Sequence, residues 1–282
     1  MDSSDGRWTM DGGTRYKPLR GARPSIVHRP SSALTPSSAP TYTGRMIRLA
    51  AVSDIHFKVG DQQAIAARFD GVREKADLLL LPGDLTDNGT LQEGEQLGRE
   101  LSRLGIPVLG VLGNHDFASR MHAELIRVLG GAGISVLDGE TAEFAFRGET
   151  VGVIGTRGFR GGFDGQALSE TSEPEVEVWV ATAGAEADKI ERGLERLRTH
   201  YRIVMTHYSP IRATVEGEHP ETVPFYGSSR LCKPIDRLGA DLVVHGHSHH
   251  GTHRGATPRG IPVYNVAARL LDAPFIIIEL SK

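Results

Sequence analysis

The chain has 282 residues, 39% of them apolar and 24% charged, enough for one large core with length to spare. Its formal charge of −3 is uneven: residues 1–45 hold seven Lys/Arg against three Asp, leaving 25 basic against 32 acidic residues from Met46 onward. An acidic body argues against a nucleic-acid polymer as partner. One cysteine, Cys232, excludes an internal disulfide and a cysteine-based metal site and fits a reducing, cytoplasmic setting. No apolar run approaches the roughly 20 residues of a membrane span, so no membrane partner is expected.

Residues 1–45 are rich in Ser, Pro, Thr, Gly and Arg, with neither apolar periodicity nor the apolar stretch of a secretory signal. They read as a disordered leader before one domain, 46–282; an upstream start codon and a targeting peptide both stay open. From Met46 the pattern is strand, loop, helix, repeated. Strands at 46–52, 77–81 and 108–112 alternate with helices at 64–75 and 91–104, which predicts a parallel sheet covered on both faces. Each strand delivers polar residues at its C-terminal end: Asp54 and His56, then Gly83-Asp84, then Gly113-Asn114-His115-Asp116.

A helix is expected over 119–129. Short runs at 135–137, 143–147 and 151–155, separated by Gly-containing turns, predict antiparallel pairing in a second sheet. The loop 156–165 carries four glycines with Arg157 and Arg160, and fits either a phosphate cradle or a surface loop. Residues 170–177 are acidic and read as a solvated lid or edge, before a charged amphipathic helix at 184–198. Buried strands return at 203–205, ending at His207, and at 241–244, ending at His245-Gly246-His247-Ser248-His249-His250. A polar loop, 216–231, separates them, and strands at 263–266 and 275–280 close the chain.

Five strand ends therefore carry Asp54 and His56, Asp84, Asn114 and His115, His207, and His247 and His249. This oxygen and nitrogen set without thiolate suits Mn, Fe or Zn better than Ca²⁺ or an iron–sulfur cluster. It exceeds one tetrahedral site, and two ions sharing one carboxylate need about this many groups. A lone Asp-x-His or Asn-His is more often turn chemistry; here the groups recur in order, each at a strand end. His245, on the strand side of Gly246, reads as a packed core histidine, and Asp116 as a turn-forming residue behind the ligands. His250 and His253 fit a substrate entrance or solvent equally.

These motifs, D-x-H at 54–56, G-D-x-x-D at 83–87, G-N-H-D at 113–116, the isolated His207 and G-H-x-H at 246–249, resemble in this order the calcineurin-like metallophosphoesterase superfamily. The resemblance covers essentially all of 46–282. It implies an α/β fold of two facing mixed β-sheets flanked by helices, four layers in the order α/β/β/α. It also implies two divalent or mixed-valence metal ions (Mn, Fe or Zn), one held by Asp54, His56 and His249, the other by Asn114, His207 and His247, with Asp84 bridging. His115 is then the proton donor, paired with and oriented by the acid Asp87. The implied reaction is attack of a metal-bridging hydroxide on a small phosphodiester or phosphomonoester. Arg157, Arg160, His219 and Tyr226 are candidates to contact the rest of the substrate. A catalytically silent scaffold on the same fold is the alternative, and it predicts missing ligands or a missing proton donor, neither of which the sequence shows.

Overall fold

The computed structural model describes residues 26–27, 46–169 and 173–281. In chain order the strands and α-helices are β1 Ile26–Val27, β2 Ile47–Ala51, α1 Gln62–Arg68, α2 Val72–Lys75, β3 Leu78–Pro82, α3 Leu91–Leu101, β4 Val108–Val111, α4 His122–Gly131 and β5 Ser135–Val136. They continue as β6 Thr141–Phe146, β7 Glu149–Thr156, α5 Pro174–Arg196, β8 Tyr201–Thr206, α6 Ser229–Leu238, β9 Leu242–His245, β10 Arg254–Ala256, β11 Pro262–Asn265 and β12 Ile276–Leu280. One sheet runs β12-β2-β3-β4-β5, parallel except for β12; the other runs β1-β6-β7-β8-β9-β11-β10, with a parallel centre, β7 to β11, between antiparallel pairs.

Strand alternation decides what each sheet touches. In the first sheet Leu49, Ala51, Leu78, Leu80, Leu109 and Val111 point toward the second sheet, where Val151, Val153, Ile203, Met205, Leu242 and Val244 meet them. The intervening residues Ala50, Val52, Leu79, Leu81 and Val108 point the other way, into an apolar layer completed by α1 to α4. On the far side Ile154, Val204, Val243 and Val263 pack against α5 and α6 through Ile190, Leu194, Leu231 and Ile235. The result is the four-layer α/β/β/α arrangement. All five residues of β3 are buried, which accounts for its unbroken apolar run. Each such leucine contributes roughly 1.5–3 kcal/mol by leaving water. No helix among the described residues is long and apolar enough to cross a membrane.

Several elements differ from the sequence reading. The helix expected at 64–75 is two short helices, because Gly71 takes the left-handed conformation (φ 68°) between them. The strand at 135–137 joins the first sheet, parallel to β4, and not the antiparallel set. Helix α5 starts at Pro174, ten residues before the expected start. Its acidic first turn, Glu175 and Glu177, read as a solvated lid, sits at the N-terminus, where the helix dipole favours negative charge, and the proline occupies a position that needs no N–H donor. Residues 170–172 lie outside the described residues. Of the leader, Ile26–Val27 is described, as a strand parallel to β6; the rest lies outside.

Candidate metal centre

The C-terminal ends of β2, β3, β4, β8 and β9 converge along one edge of the two sheets. Backbone bonds lock the loops there: Asp54 N donates to Gly83 O (3.0 Å), His56 N to Asp84 O (3.1 Å), and Gly246 N to His207 O (3.2 Å). The convergence yields three overlapping groups, Asp54/His56/His249, His56/Asp84/His115 and Asp84/His207/His247, whose ligand atoms lie within 4.8 Å of one another in each group. Asp84 joins the last two. Its Oδ2 lies 3.8 Å from His56 Nε2 and its Oδ1 3.5 Å from His207 Nε2.

Four of these residues, Asp54, His56, Asp84 and His247, have positive φ (56°, 42°, 47° and 69°). Non-glycine residues rarely adopt this conformation, and it concentrates at functional sites because the surrounding structure must hold it. The motif glycines have a complementary task. A Cβ on Gly83 would come within 2.4 Å of the His207 ring, one on Gly113 within 2.1 Å of Asp84 Oδ1, and one on Gly246 within 2.4 Å of Asp54 Oδ2. Each glycine leaves the space that a candidate ligand from another loop fills.

The donor set fits a cation. His207 Nδ1 donates to Pro82 O (3.1 Å), which turns Nε2 toward Asn114 Oδ1 at 3.0 Å and Asp84 Oδ1 at 3.5 Å, where oxygen acceptors from two loops converge. His247 is turned likewise, its Nε2 3.3 Å from Phe225 O, and His56 Nδ1 is buried without a hydrogen-bond partner among the described residues. Burial holds both His56 and His247 below the usual histidine range, hence neutral and able to ligate. Asp54 is buried, which alone would raise it, but the hydrogen bond from His249, the charges of His207 and His249 and the Ser53 hydroxyl carry it well below the carboxylate range. His249 is raised by the same bond to Asp54 (2.9 Å). Asp84 is raised, chiefly by burial.

His115 stands in a short 3-10 turn, His115–Phe117, its ring edge-on to His56 at 4.4 Å and its N–H on Asp84 Oδ1 (2.9 Å). Its Nδ1 is 2.9 Å from the backbone carbonyl of Asp87. The expected contact with the Asp87 carboxylate is absent: that carboxylate lies 3.7 Å from His56 Nδ1 and 3.8 Å from Lys58 Nζ. The main chain of Asp87, not its side chain, meets the ring nitrogen. Asp116 is fully buried and accepts from Leu85 N, Thr86 N, the Thr86 hydroxyl and Gly113 N, tying two ligand loops together; burial pushes its carboxyl up to about 6. His245 is a core residue bonded to Thr214 Oγ1 (2.8 Å), with its ring pushed down to about 4 by burial.

Of the four substrate candidates, Tyr226 reaches the centre, its ring 5.2 Å from that of His247. Arg157 and Arg160 lie beside it on aromatic rings. His219 is exposed and bonded within its own loop. His253 donates to Asn265 O (2.8 Å), while His250 lies against Glu218. Glu218, which the sequence reading passed over, is buried and accepts from Ser248 Oγ (3.1 Å) and His250 N (2.8 Å), on either side of His249. It sits in a polar loop about 30 residues away in sequence, with no local signal to mark it.

The profile of the calcineurin-like phosphoesterase family matches residues 47–251. An uncharacterized protein of Bacillus subtilis, YpbG, is 28% identical over 133 residues, 46% of this chain and 49% of its own length. A 3′,5′-cyclic-nucleotide phosphodiesterase of Nostoc is 34% identical over 87 residues, 27% of this chain and 33% of its own length. The chain thus spans half or less of these curated relatives. Among solved structures, the phosphopantetheinyl hydrolase PptH of Mycobacterium tuberculosis superposes with a TM-score of 0.62 at 16% identity, covering 83% of this chain and 96% of that one, and shares its fold.

Proposed function

The chain belongs to the calcineurin-like phosphoesterase family, and on that basis we propose that it hydrolyses a small phosphate ester, with a phosphodiester as the first class to test. The observation that carries this reading is the row of overlapping ligand groups, joined at His56 and at Asp84, with His115 in the middle group. We assign Asp54, His56 and His249 to one divalent cation, Asn114, His207 and His247 to a second, and Asp84 to both, with Mn, Fe or Zn as the candidate ions. When bound, such cations lower the pKa of solvent and offset the charge of phosphate oxygens. His115 has Nδ1 engaged by the Asp87 carbonyl, which leaves Nε2 to carry a proton to the departing oxygen. General acid help of this kind is worth about 10²–10⁴ in rate. The activity named for the Nostoc relative supports a diester, though it is matched over a third of that protein.

The test is hydrolysis of bis(p-nitrophenyl) phosphate and p-nitrophenyl phosphate by metal-stripped protein resupplied with Mn²⁺, Fe²⁺ or Zn²⁺. Diester turnover with two ions bound per chain is expected. His115→Ala should keep both ions and lose turnover, whereas Asp84→Ala should lose metal. Equal metal loss in the two variants would sink the roles, and two bound ions with no turnover would favour a silent scaffold.

A further inference from the structure

Beside the metal centre two guanidinium groups are held by aromatic rings. The Arg157 guanidinium lies 4.2 Å from the ring centre of Phe117 and 5.3 Å from that of Phe159. That of Arg160 lies 5.6 Å from Phe159, 5.1 Å from Trp179 and 5.9 Å from Phe225. Phe159 thus stands between the two cations. Ring faces attract a cation without neutralising it. Among the described residues neither arginine forms an ion pair with a carboxylate, and Arg160 Nε is buried without a hydrogen-bond partner. The other contact of the Arg160 fork is a long one, from Nη2 to Tyr208 Oη at 3.4 Å.

Both groups are one side chain away from candidate site residues. Phe117 follows His115 by two residues in the same turn, and the Arg157 carbonyl accepts from His207 N and Tyr208 N. Tyr208 packs its ring 4.5 Å from that of His247, and Phe225 O is the acceptor for His247 Nε2. A planar fork with an unsatisfied donor is built for an oxyanion, and a pair of forks suits a phosphate better than one carboxylate. Of the two, Arg157 stacks on Phe117, in the turn that carries His115, and so lies on the side of the centre from which the proton reaches the leaving group.

We propose that Arg157 and Arg160 bind a second phosphate, on the leaving group, so that the substrate is an organic pyrophosphate. This rests on the phosphoesterase reading above. Water adds across the P–O–P bridge: the new P–O bond forms at the phosphorus in the metal centre, the bridging oxygen departs with the second phosphate and takes its proton from His115, and two phosphate monoesters result.

The experiment is calorimetric binding of α,β-methylene-ADP and of AMP to the Mn²⁺-loaded full chain, with hydrolysis of diadenosine pyrophosphate and of the dinucleotide ApA followed in parallel. Hydrogen bonds to a charged group predict about tenfold to hundredfold tighter binding of the methylene analogue by the wild type. Arg157→Gln and Arg160→Gln should each shrink that gap, with the same loss in the preference for the pyrophosphate. Equal binding of both ligands by the wild type overturns the proposal without any variant. A gap that survives in both variants overturns it too, because the metals alone then grip the second phosphate. Turnover of bis(p-nitrophenyl) phosphate separates the two levels: if it persists while the analogue shows no preference, the arginine subsite alone fails, and if no ester is cleaved and no metal binds, both readings fall.

Discussion

Gly113 lies so close to Asp84 that a Cβ at its position would stand 2.1 Å from the carboxylate oxygen Oδ1. The contact joins the ends of β3 and β4, and it is steric: Gly113 has no positive φ to accommodate. Gly113→Ala should therefore displace Asp84 rather than strain its own backbone. Overpacking of this kind costs typically about 1–3 kcal/mol. The expected outcome is a small drop in melting temperature with loss of bound metal. Metal content by elemental analysis checks it, and a variant with full metal content would show that Asp84 tolerates displacement.

The Asp87 carbonyl, not its carboxylate, meets His115 Nδ1. Asp87→Asn keeps that carbonyl, so kcat should stay within about tenfold of wild type, a difference of about 1.4 kcal/mol. The pH profile of kcat decides the point. A loss of the full 10²–10⁴ expected of a general acid, roughly the effect of removing His115, would return the orienting role to the carboxylate.

Glu218 holds the loop that carries His249 by accepting from Ser248 and His250. Removing a partner that orients a ligand typically lowers metal affinity by about 10–100-fold. Glu218→Ala should do so, while Glu218→Gln, which keeps one acceptor oxygen, should recover part of it. Metal titration against a competing chelator measures both. Identical affinities in wild type and the alanine variant would leave Glu218 as a packing residue alone.

Cys232 is buried in α6, and burial, with Asp236 and Asp164 nearby, pushes its thiol up to about 12 from an ordinary 9.0. The folded chain therefore retains this proton at pH values where the unfolded chain has lost it. The contribution to stability is fully present below pH 9.0 and is lost as the pH rises toward 12. Native protein at pH 8 should resist a thiol reagent and react only on unfolding; rapid labelling of the native form would contradict the burial.

Order and alternation were written in the sequence. The five polar strand ends, the change from a parallel to an antiparallel set of strands and the separation of His245 from His247 and His249 follow from local patterns and motif spacing, which survive folding unchanged, while the facing of the two sheets was implied by the family resemblance those motifs carry. The break at Gly71 and the early start of α5 were also local, but composition pulled the reading the other way: the acidic stretch resembled a solvated edge when it was a helix N-terminus.

What only the tertiary structure decided are relations between distant segments. A two-residue strand such as Ser135–Val136 carries too little pattern to name its partner, so its place beside β4 depends on the packed sheets. The positive φ of Asp54, His56, Asp84 and His247 is imposed by the convergence of loops, since none of these residue types requires it. Glu218 under the His249 loop, and the stacking of Arg157 and Arg160 on rings from three other segments, likewise exist only once chain-remote elements meet. The sequence by itself determined which chemical groups arrive at the sheet edge, because strand periodicity is local. Their distances, tautomers and charged neighbours were decided by the fold, because those depend on contacts between residues far apart in the chain.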